Sequence, residues 1–122
     1  MPLFFGFWHG LLFEKETEMK VINRTDKMGF AFAPKQLVNN RLKVRFMYRE
    51  QPDNESDSGW RFFSGFESDE YVNNPDNIGL YDINTIVAID SDVVPLLKSP
   101  IGSAFEREVA TQPFVKSKDF EF

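Results

Sequence analysis

Carboxylates are the side chains of this chain whose spacing could support chemistry. Glu67, Asp69 and Glu70 lie close together in the sequence, and paired carboxylates can share acid and base roles when burial raises the pKa of one of them. Catalysis more often depends on histidine, and the chain holds a single one, His9, inside an apolar run. A serine triad would therefore lack its base. A carboxylate-based hydrolase stays open as the weakest alternative, because a solvated loop explains these residues equally well.

A second carboxylate pattern places Asp53, Glu55 and Asp57 at alternate positions, like the first ligands of a calcium loop. The pattern then fails, because Ser58 stands where the sharp turn needs glycine and Ser64 stands where the bidentate glutamate should be. The chain has no cysteine for a thiolate site and no glycine-rich phosphate loop. We predict no catalytic residue, no metal site and no cofactor.

The acidic side chains are concentrated in one part of the chain. Residues 50–92 hold eleven Asp and Glu against one Arg, within a chain of net charge -5. Such a surface repels phosphate, so nucleic acid is not an expected partner, whereas a basic protein would suit it. Aromatic residues lie among these carboxylates and could anchor an interface. The predicted partner-binding residues are Asp53, Glu55, Asp57, Glu67, Asp69, Glu70 and Tyr71.

The first elements that must position these residues are short strands. At 122 residues the chain has the size of one domain, and its fourteen Phe suit a pleated sheet. Residues 29–33 predict a strand, and Pro34 opens a helical turn. Residues 60–63 predict a second strand that forms a hairpin with residues 42–49 and buries Trp60. Alternation along residues 42–49 predicts one wet face and an inner face made of Leu42, Val44, Phe46 and Tyr48.

Loops and short helices complete the prediction. Turn formers predict solvated loops at residues 51–59 and 66–79. Asp82 is predicted to cap a helix, and Asp90 to cap a second turn that tolerates Pro95 near its start. Residues 103–109 predict a last strand, and the chain beyond Gln112 is expected to fray. The predicted fold is α+β, an antiparallel β-sheet covered by a few short helices.

The two ends of the chain lie outside this predicted domain. Residues 2–13 are apolar but too short to cross a bilayer, and they lack the basic start of a signal peptide. We therefore predict an N-terminal extension over residues 1–27, with Met19 as a possible alternative start, a domain over 28–112 and a tail over 113–122. The absence of cysteine favours the cytoplasm, and no membrane partner is expected.

Three sequence blocks carry a family resemblance. They are GWRFFSG at residues 59–65, NPDNIGLYDINTI at 74–86 and SPIGSAFER at 99–107. In this order they resemble family thirty-three of the bacterial polymorphic-toxin immunity proteins, and the similarity extends back to Met28. The resemblance implies a non-catalytic α+β domain that neutralises a toxin by direct binding, and it supplies no catalytic residue. A housekeeping or regulatory interaction domain without a toxin partner is the alternative.

Overall fold

A computed structural model describes residues 28–118 and residue 120. Its strands are β1 (Phe30–Pro34), β2 (Phe46–Arg49), β3 (Asp57–Phe63), β4 (Ile78–Asp82), β5 (Ala104–Glu106) and β6 (Val115–Lys116). Its α-helices are α1 (Lys35–Asn39), α2 (Asp69–Asn73) and α3 (Ile83–Ile89), and 3₁₀ turns occupy Pro75–Asn77 and Ser91–Leu96. The predictions for residues 1–27, which include His9 and the alternative start at Met19, lie outside the described residues.

The strands form one sheet of six, in the order β4-β1-β3-β2-β5-β6. Neighbouring strands pair antiparallel except β1 and β3, which pair parallel. The predicted hairpin is present as β2 and β3, with Phe46 opposite Phe63 and Arg49 opposite Trp60. The α+β class is confirmed, and the parallel pair makes the sheet mixed rather than purely antiparallel.

One face of the sheet packs against α1, α3 and the second 3₁₀ turn to form the hydrophobic core. Asp82 caps α3 by accepting from the Asn84 N–H at 2.7 Å, and Asp90 caps the following turn by accepting from the Asp92 N–H at 3.1 Å, as predicted. These caps direct short helices back onto the sheet. The core consists of Ala31, Ala33, Leu37, Val44, Met47, Trp60, Phe62, Ile83, Ile86, Ile89, Val93, Leu97 and Phe105.

The opposite face of the sheet is also covered. The ring of Phe120 lies 5.2 Å from that of Phe46 and 4.5 Å from that of Tyr48, measured between ring centroids. The predicted wet face of residues 42–49 is therefore wrong, because β2 lies between β3 and β5 and its Met47 is buried in the core. Arg49, predicted to face water, donates to the carbonyl oxygens of Ser58 and Ser99 instead.

Two further expectations are corrected. Residues 66–79 are not a continuous loop, since they hold α2, a 3₁₀ turn and the start of β4, where Gly79 pairs with Ala33 of β1. The chain beyond Gln112 does not fray throughout. β6 pairs with β5, and the Arg107 guanidinium lies 4.1 Å from the centre of the Phe114 ring. The sheet thus continues past the predicted domain limit.

Candidate protein-binding surface

The turn between β3 and α2 displays an aromatic ring to solvent. Phe66 is 70% exposed. Glu67 rigidifies the turn because its carboxylate accepts from the Ser64 N–H at 2.9 Å, the Ser64 hydroxyl at 2.6 Å and the Gly65 N–H at 3.0 Å. The guanidinium of Arg45 lies 4.9 Å from the centre of the Phe66 ring. These hydrogen bonds fix the turn, so the exposed Phe66 ring is held on the surface of the domain.

Helix α2 continues this surface with free carboxylates. Ser68 caps the helix, because its hydroxyl accepts from the Tyr71 N–H at 3.1 Å. Asp69 and Glu70 therefore need not serve as the cap, and both are exposed in the first turn. Tyr71 is half-buried, and its hydroxyl accepts from the Gln36 N–H at 3.1 Å. Phe66 and the sequence-predicted residues Glu67, Asp69, Glu70 and Tyr71 therefore form one patch, which we call the α2 patch.

The other predicted carboxylates lie in the loop before β3. Asp53 and Glu55 are exposed, but Asp57 begins the strand and is only 7% exposed, so its predicted place in a solvated loop is wrong. Asp57 also fixes the shape of the loop, because its carboxylate accepts from the Asp53 N–H at 2.8 Å and from the Gly59 N–H at 2.9 Å. Its side chain is not available to a partner.

A buried arginine explains the position of Asp57. Both carboxylate oxygens of Asp57 accept from the Arg61 guanidinium, at 2.9 and 3.0 Å, and Glu50 accepts from its Nε at 2.5 Å. Burial opposes ionisation of Asp57, but the hydrogen bonds and charge of Arg61 outweigh it and lower the pKa of this carboxyl. Partial loss of water, reinforced by the charge of Asp57, raises the pKa of Asp53.

The two groups of predicted residues lie at opposite ends of β3. The loop with Asp53 and Glu55 precedes this seven-residue strand, whereas the α2 patch follows it. At about 3.3 Å per residue, the strand separates the two groups by about 20 Å. The structure therefore assembles two acidic surfaces rather than one.

Sequence reasoning missed a second buried ion-pair cluster, around Arg107. Its guanidinium donates to Asp90 at 2.6 Å and to Asp92 at 2.9 Å, and its Nε donates to the Val44 carbonyl at 3.0 Å. The alternation that places Arg107 in line with the buried Phe105 carried the signal, because it put the arginine on the inner face of the strand. The cluster ties the end of β5 to the turn that follows α3.

Two open clefts adjoin this cluster. The larger, about 690 Å³, is lined by Arg45, Phe46, Glu106, Arg107, Glu108, Gln112, Pro113 and Val115. The smaller, about 500 Å³, lies between the second 3₁₀ turn and residues 111–114. Glu67, Asp69 and Glu70 line neither of these two clefts.

The described residues contain neither a metal-binding cluster nor a membrane-spanning helix. Over 28–118 and 120, no three carboxylate or imidazole side chains converge in a way that could hold a metal ion. In the same part of the chain, every helix is too short or too polar to cross a bilayer.

Comparison with known proteins identifies the class. A family model described as the immunity protein Imm33 domain matches residues 31–118, most of the chain. The chain belongs to this immunity protein family, as the three sequence blocks indicated. No curated protein and no solved structure matches it significantly.

Proposed function

We propose that this chain is a non-catalytic cytoplasmic immunity protein that neutralises a bacterial toxin by binding it directly. Membership of the immunity family supports the general role. The observation that carries the binding mechanism is the α2 patch, where a 70% exposed Phe66 is held rigidly beside the free carboxylates of Asp69 and Glu70. In protein interfaces, an aromatic side chain that becomes buried on binding supplies much of the affinity, and charged residues at the rim steer the partners together.

The α2 patch suits a partner that is basic at its binding surface. Exposed carboxylates accelerate the encounter with such a partner and make association sensitive to salt. Burial of Phe66 would then slow dissociation, because fully desolvated aromatics dominate binding energy. Asp53 and Glu55 extend the proposed interface to the other end of β3. An interface of standard size, about 800 Å² per partner, is large enough to cover both ends.

Co-expression tests the proposed function. The product of the neighbouring gene would be expressed with and without this chain, and rescue from toxicity and co-purification would be scored. Both are expected. If neither occurs with an active toxin, the chain is instead a housekeeping or regulatory interaction domain, for which the same surface would serve a different partner.

A charge-matched pair of variants tests the site. Asp69→Asn with Glu70→Gln removes two negative charges from the α2 patch, and Val94→Lys with Ile101→Lys adds two positive charges at exposed positions elsewhere. The first double variant should bind the toxin more slowly and show a flatter salt dependence than the second. Equal effects of the two would mean that only net charge matters and would remove the α2 patch from the interface.

A further inference from the structure

The outer edge of β6 carries backbone groups that point away from the sheet. The Ser117 N–H donates to the Ala104 carbonyl at 2.9 Å, and Lys116 lies opposite Phe105 in the register. Hydrogen-bonded and non-hydrogen-bonded pairs alternate in an antiparallel ladder, so the N–H and C=O of Lys116 face outward. Within the described residues, β5 is the only strand that pairs with β6. An edge of this kind is a template for a strand from another chain.

The larger cleft begins at β6 and extends inward over one face of the sheet, where Val115, Glu106 and Phe46 are cross-strand neighbours. Val115 lines the cleft and is 56% exposed, and Phe46 and Pro113 add apolar surface to the lining. Arg45 joins the cleft to the α2 patch, because its side chain lines the cleft, lies over the Phe66 ring and donates to the Glu108 carbonyl. The edge strand, the cleft and Phe66 are therefore continuous.

The charge of the cleft is negative. Within the described residues, the carboxylates of Glu106 and Glu108 have no ion-pair partner, and both residues are exposed. The buried Arg107 that lines the cleft is already paired with two carboxylates, so it adds no net positive charge. Arg45 is the one remaining cation of the lining, and the two glutamates outnumber it.

We propose that β6 and the larger cleft form the docking site for an extended, basic segment of the protein partner, which adds to the sheet as a further strand. Backbone hydrogen bonds to Lys116 set the register of the segment, and the cleft takes alternate side chains, with Lys or Arg near Glu106 and Glu108 and an aliphatic group against Val115. This inference rests on the proposed function in that it specifies how the partner is held.

A basic partner fits this edge better than a second copy of the chain does. Two copies joined through β6 would unite two chains of net charge -5. Two chains of the same net charge repel each other, whereas a basic segment meets complementary charge at the cleft.

A proline at position 116 tests strand addition at the β6 edge without removing a hydrogen bond of the native sheet. Lys116→Pro removes an N–H that β5 does not use, so the native sheet should tolerate it. Lys116→Ala is the matched control, since it removes the same side-chain charge and keeps the N–H. The probe is a displayed library of random peptides of about ten residues, the length of a long strand, selected on the wild-type chain.

Selection should enrich peptides in which Lys or Arg alternates with aliphatic residues. An enriched peptide should bind the Lys116→Ala variant as it binds the wild type and lose about tenfold or more in affinity for Lys116→Pro. Enrichment only of peptides that bind both variants equally would overturn the proposal, as would no enrichment at all. A wild-type dimer that Lys116→Pro converts to a monomer would assign the edge to a second copy.

The neighbouring toxin separates this inference from the proposed function. If the toxin binds wild type and Lys116→Pro equally, the docking edge fails and the function stands. If no toxin binds while proline-sensitive peptides are recovered, the function fails and the docking edge stands. Should Lys116→Pro change the far-ultraviolet circular dichroism spectrum, Glu106→Lys with Glu108→Lys replaces it, and this variant should lose the same peptides.

Discussion

Replacing Trp60 by alanine removes the largest side chain of the core. Trp60 is fully buried, its ring lies 6.1 Å from that of Phe62 and 6.5 Å from that of Phe105, and its Nε1 donates to the Leu97 carbonyl at 3.0 Å. Trp→Ala in a core costs about 3–5 kcal/mol, and the orphaned carbonyl puts the expected loss toward the upper end of that range. Since small domains have about 5–15 kcal/mol of stability in total, the variant should be marginal or unfolded.

Urea denaturation followed by circular dichroism measures this loss. Trp60→Phe keeps most of the ring contacts and drops the N–H donor, so it should lose about 1–3 kcal/mol. Phe66→Ala is the exposed aromatic control and should change the free energy of unfolding by less than about 0.5 kcal/mol. A Trp60→Ala variant as stable as Phe66→Ala would refute the core assigned to this face of the sheet.

Three further predictions concern ionisable groups. Asp90→Asn should lower the free energy of unfolding by about 3–5 kcal/mol, because it breaks a buried ion pair with Arg107, whereas Asp92→Asn, at a side chain 61% exposed, should cost less than about 1 kcal/mol in the same urea titration. The pKa of Asp57 lies below its ordinary value of 3.8, so its stabilising contribution is complete above that pH and disappears as the pH falls through the folded-state pKa; Asp57→Asn should flatten the loss of stability in acid, and an unchanged acid slope would contradict this assignment. Burial, with Glu50 adding to it, raises the pKa of Tyr48 to about 12, so an ultraviolet titration should show one tyrosine that ionises near pH 12 and that is missing in Tyr48→Phe.

Local sequence signals located most elements and failed where tertiary pairing decided the outcome. The caps at Asp82 and Asp90 depend on a side chain and an N–H two residues away, which a sequence shows directly. The start of β4 cannot be predicted from neighbouring residues, because Gly79 joins the sheet by pairing with Ala33, which is distant in the sequence. The wet face assigned to β2 failed for the same reason. Nothing in the alternation reveals that β2 is a central strand.

Side-chain partners limited the prediction of the candidate site in the same way. Asp69 and Glu70 are exposed, as expected for carboxylates in the first turn of a short helix. Asp57 also belongs to the acidic part of the chain, but its side chain faces Arg61. Arg61 is four residues later on the same strand and therefore lies on the same side of the sheet. The spacing was visible in the sequence, but its meaning depended on knowing that the strand begins at Asp57 rather than at Trp60.

The clustering of acidic residues overstates the charge that this chain presents to a partner. Among the eleven carboxylates of residues 50–92, Glu50 and Asp57 are bonded to Arg61, and Asp90 and Asp92 are bonded to Arg107. These pairs join strand to loop, and each arginine cancels one of the two negative charges that it faces, so each cluster keeps a net charge of about -1. Most of the long-range attraction of a basic partner must therefore come from the remaining carboxylates. Charge changes at exposed acids should alter association rates and salt dependence, whereas changes at the two arginine clusters should alter stability.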